Sequence, residues 1–79
     1  MEALETLTEE QRTKLDDAQD RISIAMLKEL EHGEEIELND TFTLYHYTED
    51  DIFVINLTEE WEEILQVMTE NGKIVFEEL

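Results

Sequence analysis

The sequence predicts a single α+β domain with the element order α-β-β-β-α-β. A long N-terminal helix is followed by a small, mostly antiparallel sheet of three or four strands, with a second amphipathic helix before the last strand. Three observations lead there. Apolar residues fall at helical spacing in residues 9–32 and again after Leu57, they alternate with polar ones over 35–47, and a glycine follows each helical stretch.

Leu7-Thr8-Glu9-Glu10-Gln11 is a helix start: Thr8 can cap, and Gln11 can complete a capping box. Leu15, Ala18, Ile22, Ala25 and Met26 continue on one stripe, and His32-Gly33 supplies the stop. A helix over 9–32 is about 36 Å long at 1.5 Å per residue. That exceeds the roughly 30 Å diameter expected of a compact chain of this length. From Glu34 the period becomes two. Ile36 and Leu38 alternate with Glu35 and Glu37, and Phe42, Leu44 and His46 alternate with Thr41, Thr43, Tyr45 and Tyr47. Asn39-Asp40 is either a tight turn between two strands or a bulge in one. Thr48-Glu49-Asp50 is a turn, and Ile52-Phe53-Val54-Ile55 suits a strand buried on both faces. Leu57-Thr58-Glu59-Glu60-Trp61 repeats the helix-start pattern. Trp61, Ile64, Leu65 and Met68 then stand at i, i+3, i+4 and i+7. Asn71-Gly72 ends that helix, and Lys73-Ile74-Val75-Phe76 is the final strand.

Charge is the dominant feature of the composition. Twenty-three Asp and Glu face five Lys and Arg, a formal net charge of −18, yet 41% of residues are hydrophobic and periodic enough for a folded core. The acids must therefore lie outside, where their repulsion opposes compaction. Residues 1–33 carry nine acids and four bases, whereas residues 34–79 carry fourteen acids and Lys73 alone. Eighteen charges match roughly 31 Å of duplex DNA, about nine base pairs. Glu35 and Glu37 share one side of a strand about 6.7 Å apart. That spacing resembles the gap between successive phosphates, about twice the 3.4 Å rise per nucleotide.

Other chemistries have little to stand on. There is no cysteine, one serine (Ser23) and two histidines, so catalysis lacks a nucleophile–base pair, and no catalytic residue is assigned. His46 reads as a structural residue beside Phe42 and Leu44, and His32 as a cation at a helix C-terminus. Glu49-Asp50-Asp51 lacks the alternation and glycine of a calcium loop, so neither a metal nor another cofactor is expected. The two glycines serve as helix stops, which leaves no phosphate cradle. The missing basic stripe argues against direct binding to nucleic acid or to anionic membranes. An acidic N-terminus and apolar runs of no more than four or five residues point away from a signal peptide. The expected location is cytoplasmic, in a bacterial host if the chain is phage-encoded.

In size, acidity, lack of cysteine and ordering of carboxylates, the chain resembles the small DNA-mimic proteins of bacteriophages. That resemblance implies an inhibitor occupying the basic DNA-binding surface of a host protein. An HU-like nucleoid protein is favoured, with a nuclease, restriction enzyme or CRISPR effector as other targets; the uracil-DNA glycosylase inhibitors are a poorer match in their order of helices and strands. The expected charged contacts are Glu35, Glu37, Asp40, Glu49, Asp50, Asp51, Glu59, Glu62, Glu63 and Glu70. Four of them, Glu59, Glu62, Glu63 and Glu70, are expected on the outer face of the second helix. The alternative is an acidic interaction module or adaptor, such as an RNA polymerase-binding regulator. A homodimer through Ile24 and Leu27 is also expected, because a first helix longer than the domain and apolar on several sides needs further cover; the alternative is a break near residue 20 that folds the two halves around one core.

The composition makes one prediction by itself. Ions screen repulsion between exposed charges over about 10 Å at 0.1 M, so the melting temperature should rise with moderate sodium chloride. A flat or falling trend in a thermal scan would mean that attractive pairs dominate.

Overall fold

The computed structural model describes residues 5–79. Among the described residues two helices, α1 (Glu9–Asp20) and α2 (Ile24–Glu29), precede five strands. These are β1 (Glu35–Glu37), β2 (Phe42–Tyr47), β3 (Ile52–Leu57), β4 (Glu62–Glu70) and β5 (Lys73–Glu78). They form one antiparallel sheet in chain order, and the molecule measures 30 × 24 × 23 Å. Among the described residues no helix is long and apolar enough to cross a membrane.

The expected order α-β-β-β-α-β is overturned in two places. The long helix over 9–32 does not exist. Thr8 and Gln11 do form the capping box, but α1 stops at Arg21, and Ser23 turns extended to cap α2, its hydroxyl accepting from the Met26 N–H at 3.1 Å. The break lets Ile22, Leu27 and Leu30 join Leu15 and Ala18 in one core, which a straight rod apolar on several sides could not do. The premise of the homodimer, a helix longer than the domain, goes with it. Leu27 is buried within its own chain and Ile24 is half-buried.

The second helix is also absent: residues 58–61 are a turn, and β4 follows. Between the Ile55–Leu65 and Asn56–Glu63 pairs the register shifts, leaving Ile64 as an extra residue. A bulge interrupts strict alternation, so adjacent Ile64 and Leu65 both enter the core before Val67 resumes the pattern. This bulge is what imitates the helical i, i+3, i+4 spacing. The sheet therefore has five strands rather than three or four, and Asn39-Asp40 lies in the connection between two of them.

The tetrapeptide Leu-Thr-Glu-Glu has two outcomes. At 7–10 it opens α1. At 57–60 it makes one helical turn, the Trp61 N–H donating to the Leu57 carbonyl at 2.7 Å, and stops because Trp61 is left-handed at φ +56°. The turn at 48–51 likewise ends on a left-handed residue, Asp51 at φ +53°. Asn71-Gly72, with φ +54° and +76°, is a two-residue hairpin turn of the type that demands positive φ twice, not a helix stop.

The first helix, α1, is held to the sheet at Asn39. Its amide nitrogen donates to the Lys14 carbonyl at 2.8 Å and to Asp17 Oδ2 at 3.1 Å, and its oxygen accepts from the Thr41 and Phe42 N–H groups, both at 2.9 Å. Around it, Arg21 donates to the Leu38 carbonyl at 3.1 Å and pairs with Asp17 at 3.0 Å, while Lys14 pairs with Asp40 at 3.2 Å. The Asn39 amide, and then Arg21, hold the Asp17 carboxyl below the usual carboxylate range. Lys14, and then the Thr41 hydroxyl, do the same for Asp40.

Asn39→Ala strips two backbone N–H groups and one carbonyl of their partner. The urea midpoint should fall by the equivalent of about 1–3 kcal/mol, with an unchanged denaturant slope. In the same variant the Asp17 carboxyl, followed by carbon-detected NMR, should titrate higher than in the wild type. Both aspartates have depressed folded-state pKa values. Their stabilising contribution is thus present above the unfolded value of about 3.9 and is lost as pH falls through the folded ones.

Candidate functional site

Strand alternation sorts the sheet's side chains into two faces. One, including Phe42, Leu44, Ile55, Leu57, Val67 and Phe76, packs into the core with the helices. The other carries no helix among the described residues. Two cross-strand rows on it are Glu35-Tyr45-Val54-Gln66-Glu77 and Glu37-Thr43-Asn56-Glu63; beside them the pairs Tyr47–Ile52 and Met68–Val75 occupy the same face without a carboxylate. Each row begins and ends on a glutamate. At about 4.8 Å per strand the terminal glutamates are roughly 19 Å and 14 Å apart.

Aromatic rings fill the middle. Tyr45 meets Tyr47 edge-on at 4.6 Å and Trp61 at 5.7 Å between centroids. Trp61 is 39% exposed. The Tyr47 hydroxyl accepts from Asn56 Nδ2 at 3.2 Å. Partial burial pushes the Tyr47 phenol up; the Asn56 amide opposes this and the neighbouring Glu63 carboxylate adds to it. These rings explain why Val54 is fully buried although it lies outside the core cluster. Thr43 and Thr58 share a hydroxyl–hydroxyl bond of 2.6 Å, which ties the turn carrying Trp61 to the same face.

The carboxylates expected from sequence do not form one surface. Glu35, Glu37 and Glu63 share the open face. Asp40 and Glu59 lie together in connections at one end of the sheet, where they line a groove with Lys14. Glu49, Asp50 and Asp51 form the turn at the opposite end. Glu62 begins β4, and Glu70, at its far end, is paired in register with Lys73. The acidic outer face of a second helix, expected from Glu59, Glu62, Glu63 and Glu70, has no counterpart, because β4 is a strand. Glu77, which closes the longer row, escapes sequence reasoning; its place in that row depends on the β4–β5 register.

The second feature missed is a meeting of His32, His46 and Asp51. His32 Nε2 and His46 Nε2 stand 2.8 and 2.7 Å from the same oxygen, Asp51 Oδ1. The two imidazoles, His32 foremost, hold the Asp51 carboxyl below the usual carboxylate range. No local signal marks this group, since its members come from three segments.

No protein family, curated protein or solved structure matches the chain.

Trp61 is positioned by its turn rather than by the core, which makes it separable from folding. Trp61→Gly relieves a left-handed backbone worth about 1–2 kcal/mol while losing an aromatic edge contact worth about 0.5–1.5 kcal/mol. The covered part of the indole is lost as well, so stability measured by urea denaturation should fall, but by less than the roughly 3–5 kcal/mol of truncating a fully buried aromatic. A loss of that size would make Trp61 a folding residue instead of a surface one.

Proposed function

We propose that the protein is a DNA-mimic inhibitor, whose open sheet face docks on the basic DNA-binding surface of another protein and excludes DNA from it. The observation that carries this reading is the pair of glutamate-bounded rows on a face without a helix. Their separations, roughly 14–19 Å, are of the same order as the major groove of duplex DNA, about 12 Å wide. Cations do not interfere there. Lys14 and Arg21 are paired with aspartates on the helix side, and Lys73 is the single basic residue of the five strands. The long-range field of a chain at −18 speeds encounter with a basic partner. Tyr45, Tyr47 and Trp61 then supply the desolvated contact that slows dissociation. An HU-like nucleoid protein remains the favoured target.

The exposed aromatic group also favours a second reading, an adaptor that binds through Trp61 with acidity only steering it. Competition separates the two. The purified protein should displace a short fluorescent duplex from an HU-type protein without binding the duplex itself, and displacement should weaken with salt. Combined Glu35→Lys, Glu37→Lys and Glu63→Lys should abolish displacement and flatten its salt dependence. For other targets, proteins captured from bacterial lysate on the immobilised chain should be eluted by duplex DNA. Partners that stay bound while DNA also binds them would overturn mimicry and support the adaptor.

A further inference from the structure

Both histidines of the chain converge on one of its 23 acidic side chains. His32 follows α2, His46 belongs to β2 and Asp51 closes the β2–β3 turn, so the fold makes the meeting. One donor atom from each of the three lies within 4.8 Å of the others.

His46 is held as a ligand would be. It is only 7% exposed, and Phe53 stacks on its ring at 4.0 Å with planes 23° apart. Its Nδ1 lies 2.8 Å from the Leu30 carbonyl, which can only accept, so Nδ1 bears a hydrogen and donates it. Nε2 is then the nitrogen presented to Asp51. A lone pair facing a carboxylate oxygen at 2.7 Å is repulsive unless a positive centre, a proton or a metal ion, stands between them. An imidazole whose Nδ1–H is anchored on a backbone carbonyl, with Nε2 forward, is the usual support of a metal-bound histidine. Asp51, left-handed at the close of its turn, supplies the third donor.

The geometry points to a divalent transition-metal site of the zinc class, formed by His32 Nε2, His46 Nε2 and an oxygen of Asp51. Two imidazoles and a carboxylate suit zinc, whereas calcium and magnesium prefer oxygen donors alone. Around a tetrahedral ion with bonds of about 2.0–2.1 Å, donor atoms stand roughly 3.3–3.4 Å apart. The present contacts of 2.7 and 2.8 Å therefore open by about half an ångström on metal entry. His32 and Asp51 have side chains 53% and 71% exposed and can yield, while His46 stays fixed. Three protein donors leave a fourth position toward solvent. The ion would clamp the β2–β3 turn to the segment after α2, independently of DNA mimicry.

The test uses the full chain, stripped with a chelator and titrated with zinc chloride by calorimetry. Excess magnesium is present to saturate diffuse binding by surface carboxylates. One zinc per chain, a raised melting temperature, and the strong visible bands of four-coordinate cobalt when Co²⁺ replaces zinc are expected. His32→Ala and Asp51→Asn alter exposed side chains and should keep the circular dichroism of the wild type. Each should weaken zinc binding by more than the ~10-fold typical of a lost outer-shell partner. Zinc binding that disappears in magnesium, or that is unchanged in both variants, would leave a proton as the only bridge and overturn the site.

Discussion

A five-stranded sheet has two faces, and helices of 12 and 6 residues can shield only one. The other consequences follow from that shortage. Apolar residues collect on the inner face, where Phe42, Leu44, Ile55, Ile64 and Val67 are buried against α1 and α2. The outer face must be made acceptable to water without becoming a second core. It is covered by rings in edge-on contact, with Tyr47 reaching Asn56 and Tyr45 touching Trp61, and two of its cross-strand rows are bounded by glutamates. The two edges are treated in the same way. β1 reads Glu-Ile-Glu and β5 ends in Glu-Glu, and charged edge strands resist pairing with another sheet.

Two of the turns share one design. Thr48-Glu49-Asp50-Asp51 and Thr58-Glu59-Glu60-Trp61 each start on threonine and finish on a non-glycine residue with positive φ. Such backbones are uncommon outside glycine, asparagine and aspartate. In both turns the strained residue presents the side chain that matters: Asp51 to two histidines, Trp61 to Tyr45. A glycine would satisfy the backbone more easily and present nothing.

Much of this architecture is legible in the residues alone, where one physical rule governs a segment. Alternation places Glu35 and Glu37 on one face, and the capping box at Thr8 sets the start of α1. The strand at 52–55, buried at Val54 and Ile55 but only half-buried at Ile52 and Phe53, and the final strand also follow from local pattern. Legibility fails where two rules conflict. Ser23 can sit inside a helix or cap one, and the need to gather Ile22 and Leu27 into a single core decides for the cap. The spacing of Ile64 and Leu65 fits a helix as well as a bulged strand, and only pairing with β3 decides between them. The histidine–aspartate meeting is illegible for a further reason, since it spans three segments and needs Gly33 and His46 to be joined by the backbone bond at 2.8 Å. Charge alone marks Glu63 as a contact residue, and it belongs to the open face, though on a strand rather than on a helix.

The strand order carries a consequence for how the molecule assembles. Every ladder joins strands adjacent in the chain, and no connection between them exceeds four residues. Closing such short loops involves little entropy, and hairpins of this kind form in about 1–10 μs. No strand waits for a distant partner, in contrast to β-folds whose remote pairings slow them. The long step is the docking of the helices, whose polar links to the sheet and its connections span 16 to 26 residues. Synthesis delivers those helices before the surface that buries them. The stripe of Leu15, Ala18, Ile22 and Leu27 therefore stays wet until β2 and β3 have paired beneath it.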